Sequence, residues 1–290
     1  TIQSETGKSR RDALAELVSV AGTARYYLTH GERLLTPQRR KGAIPVITSS
    51  VLRYRPHGLA GLITPWNYPF LLTVGDAIPA LLAGNAVLLK PSEHTPLSAV
   101  LGKKLLEESG LNPDLAGLIH GGPEAGSALI RHADYVAFTG GHVTGRKVAI
   151  AAAERMIPYS LELGGKNPMI VLKEAPLQQA AAALVAGAFA NAGQTCIAVE
   201  RVYIEAPAFD RFAALVSDGA RKVKVGWSQT FDLDMGSMIH MMHAAKVQDS
   251  IDAAVRSGAS VLAGARPRTD LGPAFVEPTV LAQVDQHAPI

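Results

Sequence analysis

One cysteine, Cys196, is all that the 290-residue chain contains. A single thiol cannot close an internal disulfide, and thiolate metal sites draw on several cysteines or histidines at close spacing. Neither a disulfide framework nor a metal site is therefore expected. Aromatic residues are scarce at 6%, and 28 basic against 25 acidic residues leave a formal charge of only +3. The densest basic run, Arg39, Arg40 and Lys41, has no aromatic residues interleaved nearby, which disfavours nucleic acid as a partner. No apolar run approaches the roughly 18 residues needed to span a bilayer, and no charged-then-apolar-then-small pattern opens the chain. A soluble protein of a reducing compartment, the cytoplasm, with no membrane partner, is the expectation. The chain starts at Thr1 rather than Met and stops at Ile290, and neither end shows natural punctuation, which reads as a fragment lacking both termini.

What is present is apolar material in short, regular doses. Nearly half the residues (48%) are hydrophobic, enough for one large core or two ordinary ones. Over residues 10–29, Leu14, Leu17, Val18, Ala21, Ala24 and Leu28 recur at spacings of three and four and predict an amphipathic helix with that face inward. Residues 43–55 are rich in β-branched types and read as extended or as a hairpin, closed by the turn at Pro56, His57 and Gly58. Short apolar runs then recur at 59–64, 85–90, 115–120, 135–140, 168–172 and 201–205, each beside a helical stretch. Strands alternating with helices imply βαβ units and a mostly parallel sheet covered on both faces, whose ligands collect at the C-terminal strand ends. The expected class is α/β: a doubly wound sheet over residues 1–163, with a hairpin near 40–57, and a second α/β domain over 164–290. The boundary is placed in "ELGGKNP", where paired glycines and a proline interrupt the periodicity.

Several segments carry polar groups suited to chemistry, each with a plain structural alternative. Cys196 is either a buried small apolar residue, the commoner fate of a free cysteine, or a nucleophile. Gly193, Gln194 and Thr195 give it a flexible polar approach, and Ile197 and Ala198 follow as apolar packing, the pattern of an exposed elbow. In "LITPWNYPF", Pro65 and Pro69 bracket Trp66, Asn67 and Tyr68 after a strand. Asn67 is either an ordinary turn residue or an amide donor aimed at a developing oxyanion. After the strand "NAVLLK", Lys90, Ser92 and Glu93 are either solvated charges or ligands for ribose hydroxyls. Thr139, Gly140 and Gly141 join a strand to a helix N-terminus, an anion site by geometry or simple strand–helix packing. Glu162, in the apolar strand end before Leu163, Gly164 and Gly165, is either a salt-bridged structural residue or a general base with a raised pKa.

Taken in order, the PWN, KPSE, FTGG, ELGGK and GQTC segments resemble the motifs of the aldehyde dehydrogenase family, along the whole chain. Within that family "ETGKSRRDA", "GKNPMIVL" and "NAGQTCIAVERVYI" are most similar to bacterial succinate-semialdehyde dehydrogenases. The resemblance implies a Rossmann-like dinucleotide-binding domain and a catalytic domain, here truncated. It implies Cys196 as the nucleophile that forms a thiohemiacetal, with the oxyanion held by the Asn67 amide and the Cys196 backbone N–H. Hydride passes to NAD(P), and Glu162 activates the water that hydrolyses the resulting thioester. A free thiol of pKa about 8.5 is only a few per cent thiolate at neutral pH, so activation by Glu162 is useful. Lys90 and Glu93 are implied in ribose binding, and Ser92, Thr64, Pro65, Trp66, Asn67, Thr139, Gly140, Gly141 and Leu163 in the remainder of the cofactor site. The small aldehyde is the partner, and the hairpin near 40–57 is implied in homo-oligomerisation as a dimer or tetramer.

Departures from the family pattern qualify these expectations. Gly141 stands where serine is common, and Pro123 where glycine is common. The downstream E-x-F-G-P segment, whose Glu holds the nicotinamide ribose, and the C-terminal oligomerisation strand are both absent. Gly75 and Asp76 stand where one branch has an arginine for the substrate carboxylate, so succinate semialdehyde is a first choice with an uncharged aldehyde as its rival. The Glu93 carboxylate would repel a 2′-phosphate, which favours NAD over NADP. Two competing classes are a thiol hydrolase pairing Cys196 with one of nine histidines, for which no motif is present, and a non-catalytic dinucleotide-binding protein.

Overall fold

A computed structural model describes residues 1–44 and 46–288. The expected hairpin includes Pro45, and the expected second domain ends in Pro289 and Ile290; these positions lie outside the described residues. The chain divides into two compact units, one of Ala15–Leu163 and one of Thr1–Leu14 with Gly164–Ile290. Among the described residues no helix is long and apolar enough to cross a membrane.

A short helix α1 (Ile2–Thr6) is followed by α2 (Arg10–Leu35), which covers the expected helix and runs past it. Its inward face is the reverse of the one the periodicity indicates. Leu14, Leu17 and Val18 are exposed, Leu28 is 87% exposed, and Ala21 and Ala24 are also exposed. The buried residues are instead Glu16 and Gly31, with Val20, Thr23 and Tyr27 half-buried between them. Two specific contacts turn the helix this way. The Glu16 carboxylate accepts hydrogen bonds from the N–H groups of Phe70 (2.9 Å) and Leu71 (3.0 Å). At Gly31 a Cβ would come within 2.3 Å of the end of the Leu82 side chain, so glycine lets Leu82 pack directly against the α2 backbone. A hydrogen-bonded carboxylate and a steric fit outrank the apolar stripe, which no other described residue covers.

A hairpin follows: β1 (Gln38–Lys41) pairs antiparallel with β2 (Ser49–Leu52), Gln38 opposite Leu52 and Lys41 opposite Ser49. The strands β3 (Leu59–Ile63), β4 (Ala86–Lys90), β5 (Ala116–Leu118), β6 (Tyr135–Gly140) and β7 (Tyr159–Leu163) then form one parallel sheet. Their spatial order is β5-β4-β3-β6-β7. Between them run α3 (Pro69–Leu82), α4 (Pro96–Glu108), α5 (Pro123–His132) and α6 (His142–Glu154). Strand β3 is central, and its side chains alternate between two cores. Ala60 and Leu62 pack with Ala77 of α3, Val87 and Leu89. Ile63 packs on the other side with Leu129 and Ile130 of α5, Val136, Phe138 and Val148 of α6. Between them, Gly61 admits Leu129, whose Cδ2 would lie 2.2 Å from a Cβ. Each fully buried aliphatic of these layers contributes about 1.5–3 kcal/mol. Pro123, which departs from the family pattern, occupies the first turn of α5, where its missing N–H has no helical partner to lose.

The second unit holds the parallel pair β8 (Asn167–Val171) and β9 (Val199–Ile204), with α7 (Leu177–Phe189) and α8 (Phe209–Lys222). Val171, Leu177, Ala181, Leu184, Phe212 and Val216 form its core. The chain continues through α9 (Met241–Arg256) to an antiparallel pair, β10 (Ser260–Ala263) and β11 (Val280–Ala282).

Helix α3 begins after the PWN turn, and two carboxylates act on it in opposite senses. No side chain at its N-cap, Tyr68, caps it. Glu16 does so from α2, placing negative charge at the positive end of the helix dipole. Glu16→Ala would strand one buried and one half-buried N–H group, an expected loss of about 2–4 kcal/mol in unfolding free energy measured by chemical denaturation. Glu16→Gln, which keeps one acceptor, should lose less than half as much. Two turns on, burial and the repulsion of Glu162 push the Asp76 carboxyl from 3.8 up to about 6. Between those values the folded state binds more protons than the unfolded, so Asp76 lowers stability as pH rises through that window and fully above it. Asp76→Asn should therefore stabilise the protein by about 1–3 kcal/mol at pH 8 and by about half as much at pH 5. Equal gains at both pH values, in melts of the two proteins side by side, would trace the effect to packing instead.

Candidate active site

In the Ala15–Leu163 unit the chain runs outward from β3 to β4 and β5, then returns to lay β6 against the other side of β3. Connections leave the neighbouring C-terminal ends of β3 and β6 in opposite directions, which opens a crevice of the kind that takes ligands in doubly wound sheets. Thr64, Pro65, Trp66 and Asn67 follow β3 directly, and Thr139 and Gly140 end β6. The Thr64 N–H donates to the Lys90 carbonyl (3.0 Å), and its buried hydroxyl hydrogen-bonds the Thr73 hydroxyl of α3 (3.0 Å), which fixes the turn to its neighbouring strand and helix. Asn67 is half-buried in that turn.

Gly141 is the N-cap of α6 and carries no side-chain cap. A Cβ there would meet no other atom within 4 Å, so the serine common at this place would fit and its absence is a loss of one hydroxyl, not of space. The first-turn N–H groups of α6 point out of the helix here, as at every helix start. At Gly140 a Cβ would lie 2.6 Å from the Phe138 ring, and at Gly145 it would lie 2.6 Å from the Leu163 side chain. Both glycines let the backbone of the β6–α6 corner lie flat against its neighbours. At the end of β4, Lys90 is buried; its Nζ donates to the Pro91 carbonyl (2.9 Å) and lies 3.7 Å from the Glu93 carboxylate. Glu93 is 55% exposed, and the Ser92 hydroxyl, itself buried, accepts from the His94 N–H (3.3 Å). Glu162 lies in β7 opposite Thr139 of β6 and is exposed, near enough to Asp76 to raise the latter's pKa. Sequence reading treated Asp76 only as a missing cation; its burial beside Glu162 is a tertiary fact with no local signature.

In the other unit Cys196 is exposed, which removes the buried alternative. The approach to it has an unusual backbone and several hydrogen bonds. After α7, Asn191 (φ 52°), Ala192 (φ 56°) and Gly193 (φ 73°) all take left-handed backbone angles. Only glycine does so freely, and each L-residue there is disfavoured by about 1–2 kcal/mol. Surrounding bonds hold the strained turn. Asn191 is buried, and its backbone hydrogen-bonds the carboxylate of Asp12, whose pKa is raised by burial against the opposing pull of that bond and of Ser9. The Gln194 amide donates to the Asn191 carbonyl (3.0 Å), and its oxygen accepts from the Ile239 N–H (2.9 Å). The Ala198 N–H then donates to the Thr195 carbonyl (3.1 Å), closing a turn in which Cys196 is the first central residue. Asn167, which sequence reading passed over inside "GKNP", donates from its amide to the carbonyls of Cys196 (2.7 Å) and Ala198 (3.0 Å). Lys166 pairs with Glu200 beside it. The backbone on both sides of the exposed cysteine is thus tied by hydrogen bonds.

Comparison with known proteins identifies the family and the fold. The aldehyde dehydrogenase family profile matches residues 1–290. A putative succinate-semialdehyde dehydrogenase [NADP(+)] of Mycolicibacterium smegmatis is 44% identical over 283 residues, covering 97% of this chain and 55% of that protein. A putative succinate-semialdehyde dehydrogenase [NADP(+)] 2 of Mycobacterium tuberculosis is 42% identical, covering 98% of this chain and 55% of its own length. The chain thus spans about half the length of the curated relatives it matches. Among solved structures, lactaldehyde dehydrogenase from Escherichia coli superposes with a TM-score of 0.93 at 32% identity, over 99% of this chain and 60% of that one. Betaine aldehyde dehydrogenase from Staphylococcus aureus, solved in complex with NAD+, gives 0.91 at 32% identity, over 98% of this chain and 57% of that one. By sequence along its whole length and by fold, this chain belongs to the aldehyde dehydrogenase family.

Proposed function

We propose that the protein oxidises an aldehyde to a carboxylic acid with NAD(P), succinate semialdehyde being the first-choice substrate. The observation that carries this reading is the chain's only thiol, exposed at the head of a pinned turn in a chain of this family. Residues 1–163 are assigned to dinucleotide binding and 164–290 to the nucleophile. The residues at the β3 and β6 ends suit a dinucleotide: a helix N-terminus with open space at Gly141 for an anion, and Lys90 with Glu93 for ribose hydroxyls. A bound nicotinamide supplies the hydride acceptor. The protein's own residues do the rest. The Cys196 thiolate attacks the aldehyde carbon, and the oxyanion so formed accepts from the Asn67 amide and the Cys196 N–H. After oxidation to the thioester, Glu162 takes a proton from water as the water oxygen attacks the acyl carbon, and the thiolate leaves.

The curated relatives are named as NADP enzymes, and one solved relative holds NAD+. In this chain Glu93 lies beside Lys90 and faces solvent. A 2′-phosphate about 4 Å from a carboxylate meets about 4 kcal/mol of repulsion at an effective dielectric of 20. About 1–2 kcal/mol of that survives screening and pairing with Lys90, which favours NAD by roughly tenfold. The hairpin β1–β2, exposed along nearly its whole length, is the segment assigned to self-association, as a dimer or tetramer. A reducing cytoplasm suits an enzyme that depends on one exposed thiol.

Aldehyde-dependent appearance of reduced nicotinamide absorbance tests the function. Cys196→Ser should abolish it while dinucleotide binding persists; undiminished turnover would sink the nucleophile. Dinucleotide binding without turnover in the wild type would identify a binding protein instead. Glu162→Gln should spare a burst of reduced cofactor and slow the steady state by about two to four powers of ten. Titration with both cofactors should favour NAD, and Glu93→Ser should move the preference toward NADP. Equal kcat/KM for succinate semialdehyde and an uncharged aldehyde of similar length would refute carboxylate recognition.

A further inference from the structure

The turn that carries Cys196 has one loose element by its nature. In a four-residue turn closed between Thr195 and Ala198, the central peptide, here Cys196 to Ile197, can rotate about its neighbours without breaking the closing hydrogen bond. Such a rotation changes ψ at the first central residue by roughly 150°. In this chain that residue is the cysteine, so the direction of its carbonyl and the setting of its side chain are coupled. Nothing in the turn's own backbone holds that carbonyl.

Asn167 does. Its Nδ2 donates to the Cys196 carbonyl at 2.7 Å and to the Ala198 carbonyl at 3.0 Å, so one planar amide spans the central peptide and the turn's last residue. The placement has a structural cause. Asn167 opens β8 opposite Val199 of β9, and the register slips between Asn167 and Pro168. Proline has no N–H to give to the ladder, so regular pairing cannot continue back toward the turn, and the side-chain amide bonds the carbonyls there instead. On the other side of the cysteine, Gln194 is pinned by the Asn191 carbonyl and the Ile239 N–H. Cys196 thus lies between two hydrogen-bonded amides, and Asn167 is the one bonded to the Cys196 carbonyl at 2.7 Å.

We propose that Asn167 is a positioning residue that locks the central peptide of the Thr195 to Ala198 turn and thereby sets the orientation of the Cys196 thiol. Its catalytic value rests on the reading of Cys196 as nucleophile; the positioning itself is read independently of turnover. Because Cys196 is the only cysteine, its alkylation by iodoacetamide reports this one site. In the folded wild type the rate should differ from that of the urea-unfolded chain. Asn167→Ala, and equally Asn167→Asp, which has the same shape but cannot donate, should move the folded-state rate at least threefold toward the unfolded value. Asn167→Ser, which keeps one donor in a smaller side chain, should fall between and serves if the alanine variant does not fold. Single-turnover hydride transfer should drop at least tenfold in Asn167→Ala, with aldehyde KM and dinucleotide affinity within twofold of wild type. An alkylation rate unchanged by the substitutions, or a wild-type rate already equal to that of the unfolded chain, would overturn the proposal. Absence of aldehyde turnover in the wild type together with the expected alkylation shift would remove the enzymatic reading and leave the positioning role standing.

Discussion

Parallel strands cannot be joined by tight turns, and the architecture of the Ala15–Leu163 unit follows from that constraint. Each strand must be followed by a helix that returns the chain over a sheet face, so β3 and β4 are buried along most of their length and need apolar residues on both sides. It also means that every strand ends at the same edge. When the chain, having built β4 and β5 on one side of β3, lays β6 on the other, two adjacent strand ends send their connections apart. The PWN turn and the Thr139, Gly140 and Gly141 corner occupy those two ends. The proposed cofactor residues are thus gathered by topology, although they are far apart in sequence.

Holding that crevice in shape falls largely on α3. The turn that bears Asn67 leads directly into it, and its first N–H groups are satisfied by a buried carboxylate from α2. The same helix carries Asp76, whose burial beside Glu162 is unfavourable to the charged form. A stabilising acid from α2 and a destabilising one on α3 itself fit a common division: the scaffold beneath a site is over-secured, and strain is tolerated where polar groups are kept near it.

A comparable economy appears around Cys196. Consecutive left-handed residues are unfavourable, and they are kept by a local bond from Gln194 and by bonds from Asp12 and the loop at Ile239, two segments distant in sequence. The turn places Cys196 after the helix α7 and ahead of β9, with side-chain amides bonded to the backbone on either side of it. A side chain on a freely moving loop keeps entropy that any ligand must remove; under the function proposed for Cys196, part of that ordering is done on folding.

Local sequence determined most of the parallel strands, their alternation with helices and the motifs, because these depend on periodicity, on glycine and proline, and on residue type within a short window; the strands Gln38–Lys41, Ser260–Ala263 and Val280–Ala282 gave no such signal. The run 59–64 is β3, 85–90 is β4 and 135–140 is β6 almost to the residue. Cys196 stood out for being alone. The inward face of α2 was misjudged, since a period of 3.6 tells which residues share a side but not which side is covered. Tertiary structure decided that through Glu16 and Gly31, one a bond and the other a close approach. It also decided the roles of Asn167 and Asp76, whose neighbours are 29 and more residues away in sequence. A side-chain hydrogen bond or a buried charge acquires its meaning only from what the folded chain brings within a few ångströms of it, and no local window of sequence contains that partner.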